Sequence, residues 1–172
     1  MKIDPSLHQI LLPTPLGDML AIGLDNRLSG LWFVGQKHFP TNAQDCLQAD
    51  SGDGFVAAVE TWLADYFAWR CPTFRGELHP VGTPFQLAVW QVLTALPYGA
   101  RATYKEVALR VAERLELDYC PVRATANAIG HNPISLIVPC HRVVGSDGQL
   151  HGYAGGLERK LALLNLEGQG AE

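Results

Sequence analysis

An α+β fold in two units is predicted by three features of this 172-residue chain. Short apolar runs bounded by turn residues fill its first 35 residues. From residue 53 onward apolar residues recur mainly at helical spacing, and a proline- and glycine-rich crossover divides the second half from the first. Apolar residues make up 48% of the chain, enough to bury a real core, and charged residues only 17%, which argues against disorder.

The elements follow in order. "HQILLPTPLGDMLAIGLDNRLSGLWFVG" reads as a small antiparallel meander, with "PTPLG" and "DNR" as turns. "KHFPTNAQDCLQADSGDG" is polar and loop-like. Phe55, Val59, Trp62, Leu63, Tyr66 and Phe67 then mark an amphipathic helix with Asp53 as its cap. Pro72, Gly76, Pro80 and Gly82 mark a linker, so a support unit is expected over 1–78 and a second unit over 79–172. There, Thr83 and Gln86 form a capping box with Pro84 at the first helical position. Phe85, Val89, Leu93 and Leu96 form the apolar face, and Pro97 ends the helix. Thr103 and Glu106 open another helix, and "PVRATANAIG" makes a short third, so the pair could form a helix-turn-helix. "LIV" at 136–138 reads as a buried strand, followed by a glycine-rich loop. A last helix is expected to turn Leu157, Leu161 and Leu164 inward and to stop at Gly168.

The net charge of −4 lies wholly in residues 1–96, with five Lys/Arg against nine Asp/Glu; residues 97–172 carry eight of each. Charge therefore does not announce a nucleic-acid partner, and such a partner would have to dock on a local basic face of the second half. No apolar run is long enough to span a membrane, and the N-terminus lacks the pattern of a signal peptide. Cys46, Cys71, Cys120 and Cys140 form no C-x-x-C pair and are expected to be free thiols in the cytoplasm.

Chemistry concentrates in "IVPCHRVVG", residues 137–145. An arbitrary free cysteine is usually an inert small hydrophobe, which suits the other three. Cys140 instead has a base, His141, and a fixed cation, Arg142, beside it. A strand ending at Pro139 would aim the thiol into a loop whose N–H groups favour a thiolate, so a lowered thiol pKa is expected. Adjacent residues of an extended chain face opposite ways, so a Cys140–His141 contact needs a bent backbone or a bridging water. The final helix offers Glu167 and Glu158 to fix the imidazole.

At these residues the sequence resembles the O6-alkylguanine-DNA alkyltransferases, especially the bacterial constitutive type. The likeness rests on Pro-Cys-His-Arg-Val at 139–143, Asn-Pro at 132–133, Gly-Tyr-x-Gly-Gly at 152–156, the closing Glu-Gly, "GTPFQLAVW" and "ATYKEVA". It is strong over about residues 80–168 and loose before them. It implies a ribonuclease H-like support domain and a winged-helix-like, helix-turn-helix domain holding the active-site cysteine.

It also implies a single-turnover DNA repair reaction with no cofactor. Cys140 accepts the alkyl group from O6-alkylguanine, with O4-alkylthymine as a second substrate, and keeps it as a thioether. His141 deprotonates the thiol through a water, Glu167 orients His141, and Asn132 braces the preceding turn. Tyr104 acts on the target phosphate and on the departing guanine. Arg123 fills the stack after the base flips out, with Ala124, Thr125 and Arg142 completing the DNA-facing set. Tyr153, Ala154, His151, Lys160 and Val138 line the pocket. The implied partner is lesion-bearing duplex DNA approached from the minor groove, with the protein a monomer in solution and cooperative clustering left open. Base extrusion costs a few kcal/mol, less for a poorly paired lesion.

The chain departs from that pattern in places. The stretch between Tyr104 and Arg123 is several residues longer, "RATANAIG" replaces the usual Arg-Ala-Val-Gly opening, and His151 stands where a small residue is commoner. No cysteine precedes Cys46, so no metal site is expected. Taken singly, Tyr104 reads as a packing residue, Arg123 as a solvated charge and Glu167 as a cap. Besides the alkyltransferase, two readings remain: a cysteine hydrolase or acyltransferase using Cys140 and His141, which would turn over, and a DNA-binding or damage-sensing module, which would not need Cys140.

Overall fold

The structure, a computed structural model, describes residues 5–41, 43, 46–50 and 52–169. They divide into two compact units, Met1–Val81 and Gly82–Glu172.

In the first unit, β1 (Leu7–Leu12), β2 (Met19–Leu24) and β3 (Arg27–Phe33) form the expected antiparallel meander. Asp25 and Asn26 make its tight second turn, both with positive φ (50° and 62°), the geometry that suits the right-handed twist of a hairpin. A two-residue strand, β4 (Leu47–Gln48), adds parallel to β1, so the sheet is mixed, in the order β3-β2-β1-β4. Helix α1 (Gly54–Phe67) buries Phe55, Val56, Val59, Trp62, Leu63 and Tyr66, with the Trp62 and Tyr66 rings stacked at 4.8 Å. Asp53 occupies the N-cap position, but its side chain makes no cap bond. Its carboxylate accepts from the Asp50 N–H and meets the His8 ring, and the Asn26 side chain accepts from the Phe55 N–H instead.

The second unit packs α2 (Pro84–Thr94), α3 (Tyr104–Arg114) and α4 (Val122–Gly130) against one another. Both capping boxes form as expected, Thr83 with Gln86 and Thr103 with Glu106. The indole N–H of Trp90 donates to the Ala128 carbonyl at 2.9 Å and ties α2 to α4. A parallel pair, β5 (Ala102–Thr103) and β6 (Val143–Val144), precedes α3 and follows the cysteine. Helix α5 (Leu157–Gln169) packs on the cysteine turn.

Two expectations are corrected here. Residues 136–138 are not a strand. Their backbone bonds are local, Ile137 to Ser135 and Val138 to Ile134, and Leu136 turns the chain with φ 69°. A short apolar run signals burial, and periodicity alone cannot distinguish a strand from a packed turn. Helix α5 buries Lys160, Leu163, Leu164 and Glu167, whereas Leu157 and Leu161 are about half exposed (49% and 51%). The helix also runs through Gly168. Its inward stripe follows the two charged groups that serve the site.

Helix α3 ends in a Schellman arrangement: Glu116 N–H bonds the Glu113 carbonyl, and Leu117 N–H bonds that of Ala112. Glu116 occupies the left-handed position with φ 54°, where a side chain is strained. Glu116→Gly is expected to raise stability by about 1 kcal/mol, read as a higher denaturant midpoint at unchanged m-value.

Candidate active site

The site begins with backbone. Cys140–Arg142 form one turn of 3-10 helix between the packed turn at 134–138 and β6. This bend places consecutive side chains in ways an extended chain forbids. Asn132 holds the preceding turn from both sides. Its carbonyl oxygen accepts from the Ile134 N–H at 3.0 Å, and its amide donates to the Val138 carbonyl at 2.8 Å and to Cys140 Sγ at 3.1 Å.

Below the cysteine lies a buried ionic node. His141 Nε2 is 2.6 Å from Glu167 Oε1, and Arg142 bonds the same carboxylate with Nε to Oε2 and Nη2 to Oε1, each at 2.9 Å. The Gly99 N–H gives a fourth bond, to Oε2 at 3.2 Å, from a backbone with φ 77°. Arg142 Nη1 donates to the Leu96 carbonyl, and the guanidinium lies 5.6 Å from the Tyr98 ring centre. Burial pushes Glu167 up, but the bonds and charges of His141 and Arg142 outweigh it and hold the carboxyl at about 2. An ionised Glu167 requires the proton on His141 Nε2 and so puts the neutral ring's lone pair on Nδ1. Burial lowers the His141 pKa against the pull of Glu167, so the ring is neutral at pH 7 and able to accept a proton.

The expected lowering of the Cys140 pKa is reversed. Burial pushes the thiol up, and the Asn132 amide, the Lys160 charge and the local backbone N–H groups offset only part of that. The resting group is a neutral thiol with donors already in place.

Above the cysteine, the His151 carbonyl collects two bonds, from the Tyr104 hydroxyl at 3.0 Å and from Lys160 Nζ at 2.8 Å. Burial lowers the Lys160 pKa to about 8, against the pull of Cys140. Burial raises that of Tyr104, with the nearby Cys140 adding to it. The Tyr153 hydroxyl is buried without a hydrogen-bond partner among the described residues, while Ala154 is half-buried and the His151 side chain is exposed near Asp147.

The candidates therefore separate. Cys140, His141, Glu167 and Asn132 converge, with Lys160, Tyr104 and His151 on the next layer and Val138 buried beneath. Arg123 and Ala124 lie on the exposed strip of α4. Arg142 and Thr125 do not join them, and their DNA-facing role is corrected: Arg142 is buried in bonds to Glu167 and Leu96, and Thr125 faces inward on the helix. Of the final helix's two acids, Glu167 reaches His141 and Glu158 is exposed. Gly99 and Leu96 escaped the sequence reading because each contributes only a backbone group to a partner far away in the chain.

Known proteins are similar to this chain in sequence and in fold. Residues 84–169 match the family described as 6-O-methylguanine DNA methyltransferase, DNA binding domain. The methylated-DNA–protein-cysteine methyltransferase of Mycobacterium leprae (strain TN) is 38% identical over 161 residues, covering 94% of this chain and 92% of its own. That of Methanosarcina barkeri (strain Fusaro / DSM 804) is 38% identical over 162 residues, covering 94% and 97%. The crystal structure of Mycobacterium tuberculosis OGT in complex with DNA superposes with a TM-score of 0.82 at 38% identity, covering 95% of this chain and 94% of that one.

Glu167 titrates at about 2 when folded, below its ordinary value of 4.5. Its contribution is therefore complete above about pH 4.5 and is lost as the pH falls toward 2, a difference of about 3 kcal/mol. Glu167→Gln is expected to flatten this acid limb. It should also cost about 3–5 kcal/mol at neutral pH, because Arg142 is left buried without its counter-charge. Urea unfolding between pH 7 and pH 2 measures both effects.

Proposed function

Since the chain belongs to the 6-O-methylguanine DNA methyltransferase family, we propose that Cys140 is its alkyl acceptor and that the node beneath it is its proton relay. The chain is a methylated-DNA–protein-cysteine methyltransferase: it repairs DNA by moving an alkyl group from the damaged base to a cysteine of its own. The observation that carries the assignment of residues is a pair of buried contacts on one 3-10 turn: Asn132 donates to Cys140 Sγ, and the adjacent His141 ring is held by Glu167.

In this reading the target nucleotide of a duplex is flipped out from the minor-groove side, because O6 inside the stack is out of reach. Arg123, exposed near the start of α4, enters the stack in its place, with Ala124 small enough to let the helix backbone approach. The base enters between Tyr153, Ala154 and His151 on one side and Cys140 on the other. His141 Nδ1 takes the thiol proton through a water, and the resulting imidazolium is held by Glu167. The thiolate then attacks the alkyl carbon, forming an S–C bond as the C–O6 bond breaks. The electron pair of that bond leaves with guanine, and the proton carried by His141, or one from Tyr104 or Lys160, neutralises the departing base. A buried high-pKa thiol suits such a sequence, since it stays unreactive until substrate and base are both in place. O4-alkylthymine fits the same geometry as a slower second substrate. Lesion DNA is the partner and the chain acts as a monomer.

The thioether formed is a poor leaving group, so each chain acts once. Two variants test the roles. Cys140→Ser is expected to abolish transfer while retaining binding to lesion duplex; loss of binding as well would remove the assignment of Cys140 as acceptor alone. Arg123→Ala is expected to slow repair of duplex about tenfold or more while leaving reaction with a free O6-alkylguanine base unchanged. An equal fall in both rates would show that Arg123 acts on the pocket rather than on the stack.

A further inference from the structure

Tyr119 is an exposed ring in a chain that otherwise hides its tyrosines. Its relative exposure is 62%, while Tyr66, Tyr98, Tyr104 and Tyr153 are buried or half-buried. It lies in the turn between α3 and α4. The turn is pinned at both ends. Leu117 N–H bonds the Ala112 carbonyl at 2.9 Å, Val122 N–H bonds that of Cys120 at 3.0 Å, and Pro121 is buried. Val122, next along, is itself 37% exposed.

We propose that Tyr119, with Val122 beside it, forms an apolar ledge that packs on the sugars and base edges of the duplex next to the nucleotide engaged by Arg123. The proposal rests on the reading of this unit as one that binds lesion duplex. Three arguments carry it. The first is reach. Tyr119 lies four positions before Arg123, so their Cα atoms lie at most about 14 Å apart, roughly four base-pair steps of duplex. The ring is therefore close enough to meet the same segment of duplex that takes Arg123 into its stack.

The second argument is continuity: Arg123, Ala124 and Asn127 share one exposed face of α4, and the exposed Tyr119 and Val122 lead into it. The third is charge. The exposed carboxylates of Glu116 and Asp118 precede Tyr119 in the chain, and their repulsion disfavours a phosphate contact. A neutral ring against deoxyribose and base edges is compatible with them.

The test uses the full chain in a Cys140→Ser background, so that the complex does not react, and a duplex oligonucleotide carrying one O6-methylguanine. Tyr119→Ala is expected to weaken binding about five- to tenfold. Tyr119→Phe should bind as the parent does, because the ring and not the hydroxyl makes the contact. The slope of log affinity against log salt should be unchanged, because no counterion is released by an uncharged ring. Equal affinity for Tyr119→Ala and its parent overturns the inference, and so does a shallower slope or a loss that Phe does not repair. If the parent itself fails to bind the lesion duplex, it is the proposed function that fails.

Discussion

One buried carboxylate organises the catalytic half of this protein. Glu167 receives four hydrogen bonds, from His141, from two nitrogens of Arg142 and from the Gly99 backbone. These donors come from the cysteine turn and from the loop after α2, while the acceptor comes from α5. Removing a carboxylate and a guanidinium from water costs several kcal/mol each, and only near-complete satisfaction makes such a pair tolerable. That condition explains why the inner stripe of α5 includes Glu167; Lys160 on the same stripe is held by the His151 carbonyl instead, and Leu157 and Leu161 are left outside.

The same burial shapes the reactivity of the cysteine. A solvent-facing thiol of low pKa would react with many electrophiles. Here burial keeps Cys140 neutral while the Asn132 amide and the Lys160 charge are already arranged around it. In the proposed mechanism the anion forms only as its proton is taken, so selectivity comes from the requirement that an extruded base fill the pocket. The His151 carbonyl joins that pocket's loop to α3 and α5 through Tyr104 and Lys160, which makes the loop's position depend on the same elements that hold the acceptor.

Local chemistry was legible in the sequence, and long-range placement much less so. The capping boxes at Thr83 and Thr103, the hairpin turn at Asp25–Asn26 and the apolar face of α1 follow from short-range rules and appear as expected. The run at 136–138 misled because its apolar character reflects burial; what bends it is the Asn132 side chain and the left-handed Leu136. Arg142 misled for a related reason. An arginine beside a candidate nucleophile in a DNA-binding pattern suggests a DNA-facing charge, and nothing local reveals that its partner is a glutamate on the last helix. The resemblance to a family supplied Glu167 over Glu158, a choice that helical spacing left open, and neither route could supply the backbone groups of Gly99 and Leu96.

The central claim is that one buried sulfur takes the alkyl group and keeps it. Intact-mass analysis after incubation with excess O6-methylguanine duplex tests this most directly. The account expects one added methyl group per chain, located by fragmentation to the peptide holding Cys140, with no repair beyond one equivalent. Repair of many equivalents by a chain of unchanged mass, or a methyl group on any other residue, would contradict it.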